Sequence, residues 1–111
     1  MKRNILALLI LMIFLSCTLP PTAQERRNKY LKSHPNFSWE VKNDIREGKV
    51  SIGMTKEQVR ASWGAPDDIN KTITEHSYQE QWVYNELRNG ISFPERYVYF
   101  DRSGIVTTIQ D

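Results

Sequence analysis

Apolar and polar positions divide the chain into stretches of distinct period. The first is an uninterrupted apolar run, "ILALLILMIFL" from Ile5 to Leu15, preceded by Lys2 and Arg3. A bilayer-spanning helix needs about 20 apolar residues, so this run is too short to span. A basic start followed by a short apolar core is the form of a secretory signal peptide. A buried core helix would keep one polar face, and this run keeps none. The pattern predicts an exported protein whose signal peptide covers residues 1–16.

From Thr18 to Asn36 the sequence is polar, shows no sustained period, and is punctuated by Pro20, Pro21 and Pro35. It reads as a flexible tether, with residues 17–36 outside the folded part and 37–111 forming one small domain.

Within that domain the period is first helical. In "FSWEVKNDIREG" Ser38 stands as an N-cap, Glu40 lies at the positive end of the helix dipole, and Gly48 occupies the C-terminal left-handed position. Val41 and Ile45, four apart, supply a narrow apolar stripe. A second helix is written out in "SIGMTKEQVRASWG". Thr55 and Gln58 form a T-x-x-Q capping box, and Met54 and Val59 take the two positions of a hydrophobic staple. Gly53 allows a sharp turn into the cap, while Gly64 ends the helix and Pro66 keeps it from resuming.

After "DDINKTITEHSY", read as a polar loop, the period becomes two. "EQWVYN" places Trp82 and Tyr84 on one side and Val83 on the other. "RYVYFDRSGIVTTIQ" reads as two strands joined by a turn at Asp101 to Gly104, with Val98 and Phe100 on one face and Tyr97 and Tyr99 on the other. Helices followed by strands predict an α+β fold, two N-terminal helices packed on a three-stranded antiparallel sheet. Trp63, Trp82, Val98 and Phe100 are the expected core. A sheet covered on one face leaves its other face wet or bound, which makes Tyr97 and Tyr99 candidate interface residues. A slip of one residue in register would exchange the two faces.

Charge and cysteine usage sharpen this picture. The chain carries 15 basic and 13 acidic residues, and cleavage before Cys17 would remove Lys2 and Arg3, leaving a balanced mature chain. Nucleic-acid binding needs clustered basic charge, so that partner class is not expected. The local cluster Arg26, Arg27, Lys29 and Lys32 reads as a solvated surface, with contact to anionic lipid as the sharper reading. Cys17 is the sole cysteine and sits at the end of the apolar run, after Ser16. That placement resembles a bacterial lipobox, in which the cysteine becomes the lipid-bearing N-terminus; Phe14 and Leu15 depart from the usual pattern. Uncleaved anchoring and ordinary cleavage a few residues later are the other readings. Lipidation of Cys17 with acyl chains such as palmitate, worth about 0.8 kcal/mol per buried methylene, would hold the protein on a membrane.

Candidate chemistry is sparse. His34, Asp67, Asp68, Glu75 and His76 are the groups able to bind a metal or move a proton, and they show no ligand spacing. Ser51 and Ser62 have no base at recognisable spacing, and no phosphate loop is present. Neither an enzyme, a metal nor a cofactor other than the covalent lipid is expected.

"IGMTKEQVRASWGAP", then "EQWVY", then "YVYFDRSGIVTTI" together resemble the SmpA/OmlA domain, the BamE-like family of small bacterial lipoproteins. The resemblance covers Ile45 to Asp111. Gly53, Met54, Thr55, Val59, Gly64 and Pro66 match its motif with structural roles, and Trp82 and Tyr84 match its first-strand aromatics. It implies two helices on a three-stranded sheet, and a non-enzymatic lipoprotein held through Cys17 on the periplasmic face of the outer membrane. Its best-known members are accessory subunits of the β-barrel assembly machinery, so an envelope protein such as a barrel-assembly component is the implied partner. By the same resemblance, Tyr30 and Leu31 and the loop from Asp67 to Ile69 correspond to partner-binding segments. Related folds occur in secreted inhibitors of β-lactamases, which makes inhibition of a periplasmic or extracellular enzyme the alternative function.

Overall fold

The computed structural model describes residues 19–111; the expected signal peptide, the lipidation candidate Cys17 and Thr18 lie outside the described residues. Within them the order is α1 (Ala23–Ser33), α2 (Trp39–Glu47), α3 (Lys56–Trp63), β1 (Asp68–Ile73), β2 (Tyr78–Arg88), β3 (Ile91–Phe100) and β4 (Val106–Gln110). The strands form one antiparallel sheet in sequential order, β1-β2-β3-β4. The fold is α+β. No helix among the described residues is long and apolar enough to cross a membrane.

Two elements exceed the expected architecture. The stretch read as a flexible tether contains α1, opened by a capping box in which Thr22 accepts from the Glu25 amide and Glu25 accepts from the Thr22 amide. The T-x-x-E signal was present in the sequence, but α1 buries no residue completely and so lacks the apolar stripe that marks most helices. The stretch read as a polar loop contains β1, whose six residues are all exposed. An edge strand held by backbone pairing to β2 needs no alternation of apolar side chains, so hydrophobic period does not reveal it.

The two expected helices end as their sequences dictate. Ser38 caps α2 by accepting from the Val41 amide. At its far end Gly48 turns left-handed (φ 72°), and the Lys49 amide reaches back to Asp44 C=O at 2.8 Å. At the start of α3 both arms of the capping box form: the Gln58 amide donates to Thr55 Oγ1 (3.2 Å) and the Thr55 amide to Gln58 Oε1 (3.0 Å). Gly53 N–H donates to Val106 C=O and Val106 N–H to Met54 C=O, both at 2.9 Å, so the segment before the cap lies along the outer edge of β4. The helix start and the sheet edge are thus fixed by the same residues.

The core lies on one side of the sheet. Ile45 from α2, Met54, Val59 and Ala61 from around α3, and Trp82, Tyr84, Val98, Phe100 and Val106 from the strands form one buried cluster. Trp82 packs on Phe100 with ring centroids 4.7 Å apart. Trp63, expected in the core, is half-buried at its margin, meeting the edge of Tyr84 at 5.3 Å and lying under the Arg96 guanidinium at 4.2 Å. Its indole N–H donates to Gly48 C=O, and Tyr84 Oη donates to Gly64 C=O. Polar tips of core aromatics therefore satisfy carbonyls left open at the C-terminal ends of α2 and α3.

Those helix ends also explain the basic cluster. Arg26 Nε donates to Ala61 C=O (3.4 Å) and Arg27 Nε to Ser62 C=O (2.9 Å), so both arginines are spent docking α1 on α3. Cations belong at helix C-termini, where unpaired carbonyls carry partial negative charge. Tyr30 and Leu31 add partly buried contacts, and Tyr30 packs with His34 and Phe37 at 4.2 and 5.8 Å. Lys29 and Lys32 stay in solvent.

Candidate functional site

The face of the sheet away from the helices is not explained by the core. Alternation along β2 places Gln79, Gln81, Val83, Asn85 and Leu87 on this face. Their neighbours on β3 are Tyr99, Tyr97, Pro94 and Ser92. No side chain in this double row is charged. Charges on the two strands fall on the opposite side instead, at Glu80, Glu86, Arg88 and Arg96, or at the bulge, where Glu95 pairs with Arg88. On β4, Thr108 and Gln110 continue the neutral row, and on β1 Asn70 and Thr72 do so with Asp68 at the end.

Hydrogen bonds order the middle of this face. Tyr99 Oη accepts from Gln81 Nε2 (2.9 Å) and donates to Gln110 Oε1 (3.1 Å), linking β2, β3 and β4. Asn70 Nδ2 donates to Gln81 Oε1 at 3.0 Å, which extends the row to β1. Val83 is only 6% exposed although it points away from the core cluster. Tyr97, its cross-strand neighbour, is half-buried like Tyr99. Tyr97 and Tyr99 thus share one face, and Trp82, Tyr84, Val98 and Phe100 the other.

Beyond Tyr84 and Arg96, β2 and β3 continue as a two-stranded arm. The break is a bulge at Glu95, with Tyr84 opposite Arg96 and Asn85 opposite Pro94. The arm closes at Asn89 and Gly90, both left-handed (φ 52° and 77°), as a two-residue type I′ hairpin requires. The Asn-Gly pair announces this hairpin in the sequence, although residues 86–95 lie outside the stretches of clear period two. Leu87, Ile91 and Phe93 are exposed on the arm by 74%, 59% and 46%. Arg88 bridges Glu86 and Glu95 at 3.0 and 3.1 Å.

The remaining expected site residues fall in different places. Tyr30 and Leu31 lie on α1, on the helix side, and do not adjoin the tyrosine face. A groove of about 560 Å³ runs along α1 between Pro21, Glu25, Arg26, Lys29, Tyr30 and Ser33. Burial raises the pKa of Tyr30, and the nearby Glu57 carboxylate adds to the shift. Asp67 precedes β1, and its Oδ2 accepts from the Asn85 amide at 2.7 Å. Ile69 is on β1 opposite Trp82, partly exposed where the helix layer ends. The motif residues Gly53, Met54, Thr55, Val59, Gly64 and Pro66 build the start and end of α3.

The candidate acid and base groups are engaged locally or stand alone. Asp68 Oδ1 accepts from the Ile69 amide, and Glu75 and His76 are fully displayed at the β1–β2 turn with 88% of each side chain exposed. Among the described residues no group of His, Cys, Asp and Glu is spaced to hold a metal ion. The buried carboxylate is Glu80, which was not anticipated. Its oxygens meet Lys56 Nζ (2.6 Å), Trp82 Nε1 (3.1 Å) and Lys71 Nζ (3.4 Å). Burial pushes its pKa up, but Lys56, Trp82 and Lys71 outweigh that and hold it below the ordinary glutamate value. Fully partnered on the core face, it acts as a structural ion pair between α3, β1 and β2.

Set against protein-family models, curated proteins and solved structures, the chain matches none of them.

Proposed function

We propose that this protein is a lipid-anchored module of the bacterial cell envelope that acts by binding another envelope protein, not by catalysis. Cys17 carries the lipid in this reading, and the periplasmic face of the outer membrane is the site of anchoring. The resemblance of "IGMTKEQVRASWGAP", "EQWVY" and "YVYFDRSGIVTTI" to the SmpA/OmlA domain supports it and suggests a barrel-assembly component as one such partner. The observation that carries the binding role is the uncharged outer row of β2 and β3. Protein interfaces are depleted of charge at their centres and enriched in tyrosine, and the row from Tyr99 and Tyr97 through Val83 to Leu87 has that composition. Removing Gln81 and Tyr99 from water against a partner would cost little, because both already have partners and no ion needs stripping.

Affinity capture of the full-length protein from its own membranes tests this reading. A discrete envelope protein should co-purify, its recovery should fall with Tyr97→Lys, and Cys17→Ser should release the protein from the membrane fraction. Recovery as a free monomer, unchanged by either substitution, would count against it. A second reading is favoured by the arm, which carries Leu87, Ile91 and Phe93 outward from the compact part and has the form of an element that enters a cleft. An inhibitor of a periplasmic or extracellular enzyme would form a soluble stoichiometric complex that survives Cys17→Ser and is lost on Phe93→Ser.

A further inference from the structure

Among the described residues, three stretches of sheet edge carry features that discourage further pairing. The outer edge of β4 is occupied at Val106 by the segment Gly53–Met54. The outer edge of β1 carries Asp68 and Lys71, and charged side chains on an edge discourage further pairing. On the arm, the β3 side has Pro94, which has no N–H, followed by the Glu95 bulge. The β2 side of the arm has no proline, bulge or covering segment, and it carries one charge of each sign, Glu86 and Arg88.

Its hydrogen-bonding direction follows from the strand alternation. Val83 C=O accepts from the Asp67 amide and Asn85 N–H donates to the Asp67 carboxylate, so odd-numbered residues of β2 point their backbone groups away from β3. Leu87 is the next in that series. Its N–H and C=O face the open edge beyond the point where Asp67 ends the β1 ladder.

We propose that this edge pairs with the same edge of a second copy of the chain, antiparallel about a two-fold axis at Leu87. An isologous contact must be self-complementary, and this stretch is. With Leu87 opposite Leu87, the two residues exchange both backbone hydrogen bonds. Glu86 of each copy then stands opposite Arg88 of the other, on the face that already holds the Glu86–Arg88 pair. Arg88 keeps Glu95 within the copy, so the exchange leaves no carboxylate unpaired. Any other register loses this match: shifting it by one residue sets Glu86 opposite Leu87 or Asn89. Opposite charges directly across an antiparallel pair stabilise it and like charges destabilise it. Pairing at the edge takes only Leu87, the end of the neutral outer row, and leaves Val83, Tyr97 and Tyr99 open, so the dimer is compatible with a separate protein partner and does not rest on it.

Disulfide trapping in membranes of the producing cells tests the geometry. The full-length chain carrying Leu87→Cys is oxidised mildly and dimer formation is followed, with the unsubstituted chain as the control for Cys17. Hydrogen-bonded cross-strand residues lie about 5.5 Å apart at Cα, within reach of a disulfide. Ser92→Cys sits on the same face of the arm but at its other edge, and should crosslink at least about ten-fold more slowly. Adding Glu86→Arg to Leu87→Cys turns two attractive pairs into repulsive ones and should slow trapping by about ten-fold. Adding Glu86→Arg and Arg88→Glu together restores complementarity and should restore the rate. The proposal is overturned if Ser92→Cys crosslinks as fast as Leu87→Cys, or if the single and double reversals behave alike. It is equally overturned if Leu87→Cys yields an adduct with a different polypeptide in place of the homodimer.

Discussion

The Asp67 carboxylate accepts a hydrogen bond from the Asn85 amide at 2.7 Å, standing where one more residue of β1 would otherwise pair with β2. One side chain therefore marks the boundary between the four-stranded body of the sheet and the two-stranded arm. Asp67→Ala removes a charge-assisted bond in an exposed setting and should cost about 1 kcal/mol in denaturant unfolding. Amide exchange should quicken at Asn85 and Glu86 while Trp82 and Val98 stay protected. Uniform loss of protection across the sheet would show that the arm is not a separable unit.

Arg27 and Gly48 are matched. The Arg27 guanidinium lies where a side chain at residue 48 would begin, 2.6 Å from the position a Cβ would take, and Gly48 has φ 72°. Gly48→Ala meets both the left-handed backbone and the guanidinium, and should cost about 2 kcal/mol. Arg27→Ala relieves the second problem and leaves the first, so the double variant should be more stable than additivity predicts by about 0.5 to 1 kcal/mol. Additive costs would mean that Arg27 simply moves aside.

Glu80 gives the protein an acid limit. Its folded pKa lies below the ordinary value, so the unfolded chain takes up its proton first as pH falls. The stabilisation is complete above the unfolded glutamate pKa of about 4.3 and is lost as pH drops through the lower folded value. Glu80→Gln should lower stability at pH 7 by about 2 kcal/mol and flatten the dependence below pH 4.3, measured by urea unfolding across pH. An unchanged acid limb in Glu80→Gln would assign the effect elsewhere.

Tyr84 supplies the alkaline counterpart. Burial pushes its pKa up to about 12, with Asp67 adding to the rise and Arg60, Arg96 and Arg26 opposing it. Stability from its neutral hydroxyl is intact below the unfolded tyrosine value of about 10 and declines as pH rises through the folded value. Ultraviolet titration should lose its latest tyrosine step in Tyr84→Phe, while the smaller upward shift at Tyr30 stays. The same variant loses the bond to Gly64 C=O and should be about 1 kcal/mol less stable at pH 7.

The parts legible in the sequence were those in which local chemistry and burial agree. Thr55, Gln58, Met54 and Val59 define the start of α3 through a cap and a staple, and Val98 and Phe100 alternate with Tyr97 and Tyr99 because one face is buried. What escaped was held by other means. α1 is a polar helix docked by Arg26 and Arg27 on carbonyls of α3, a contact separated by 35 positions in sequence. β1 is exposed throughout and defined by backbone pairing. The arm carried a readable signal in Asn89–Gly90, and the charge-free odd positions of β2 were also in plain view. Neither forms an apolar stripe, which is the pattern that marks an element by its period.

The central claim is that the outer row of β2 and β3 binds another envelope protein. The most direct measurement is photo-crosslinking in living cells from a reactive amino acid at Tyr97 or Tyr99, compared with one at Glu75 on the exposed β1–β2 turn. The account predicts one discrete heterologous adduct from Tyr97 and Tyr99, in the membrane fraction, and none from Glu75. Absence of an adduct at both tyrosines, or the same products from all three positions, would contradict it.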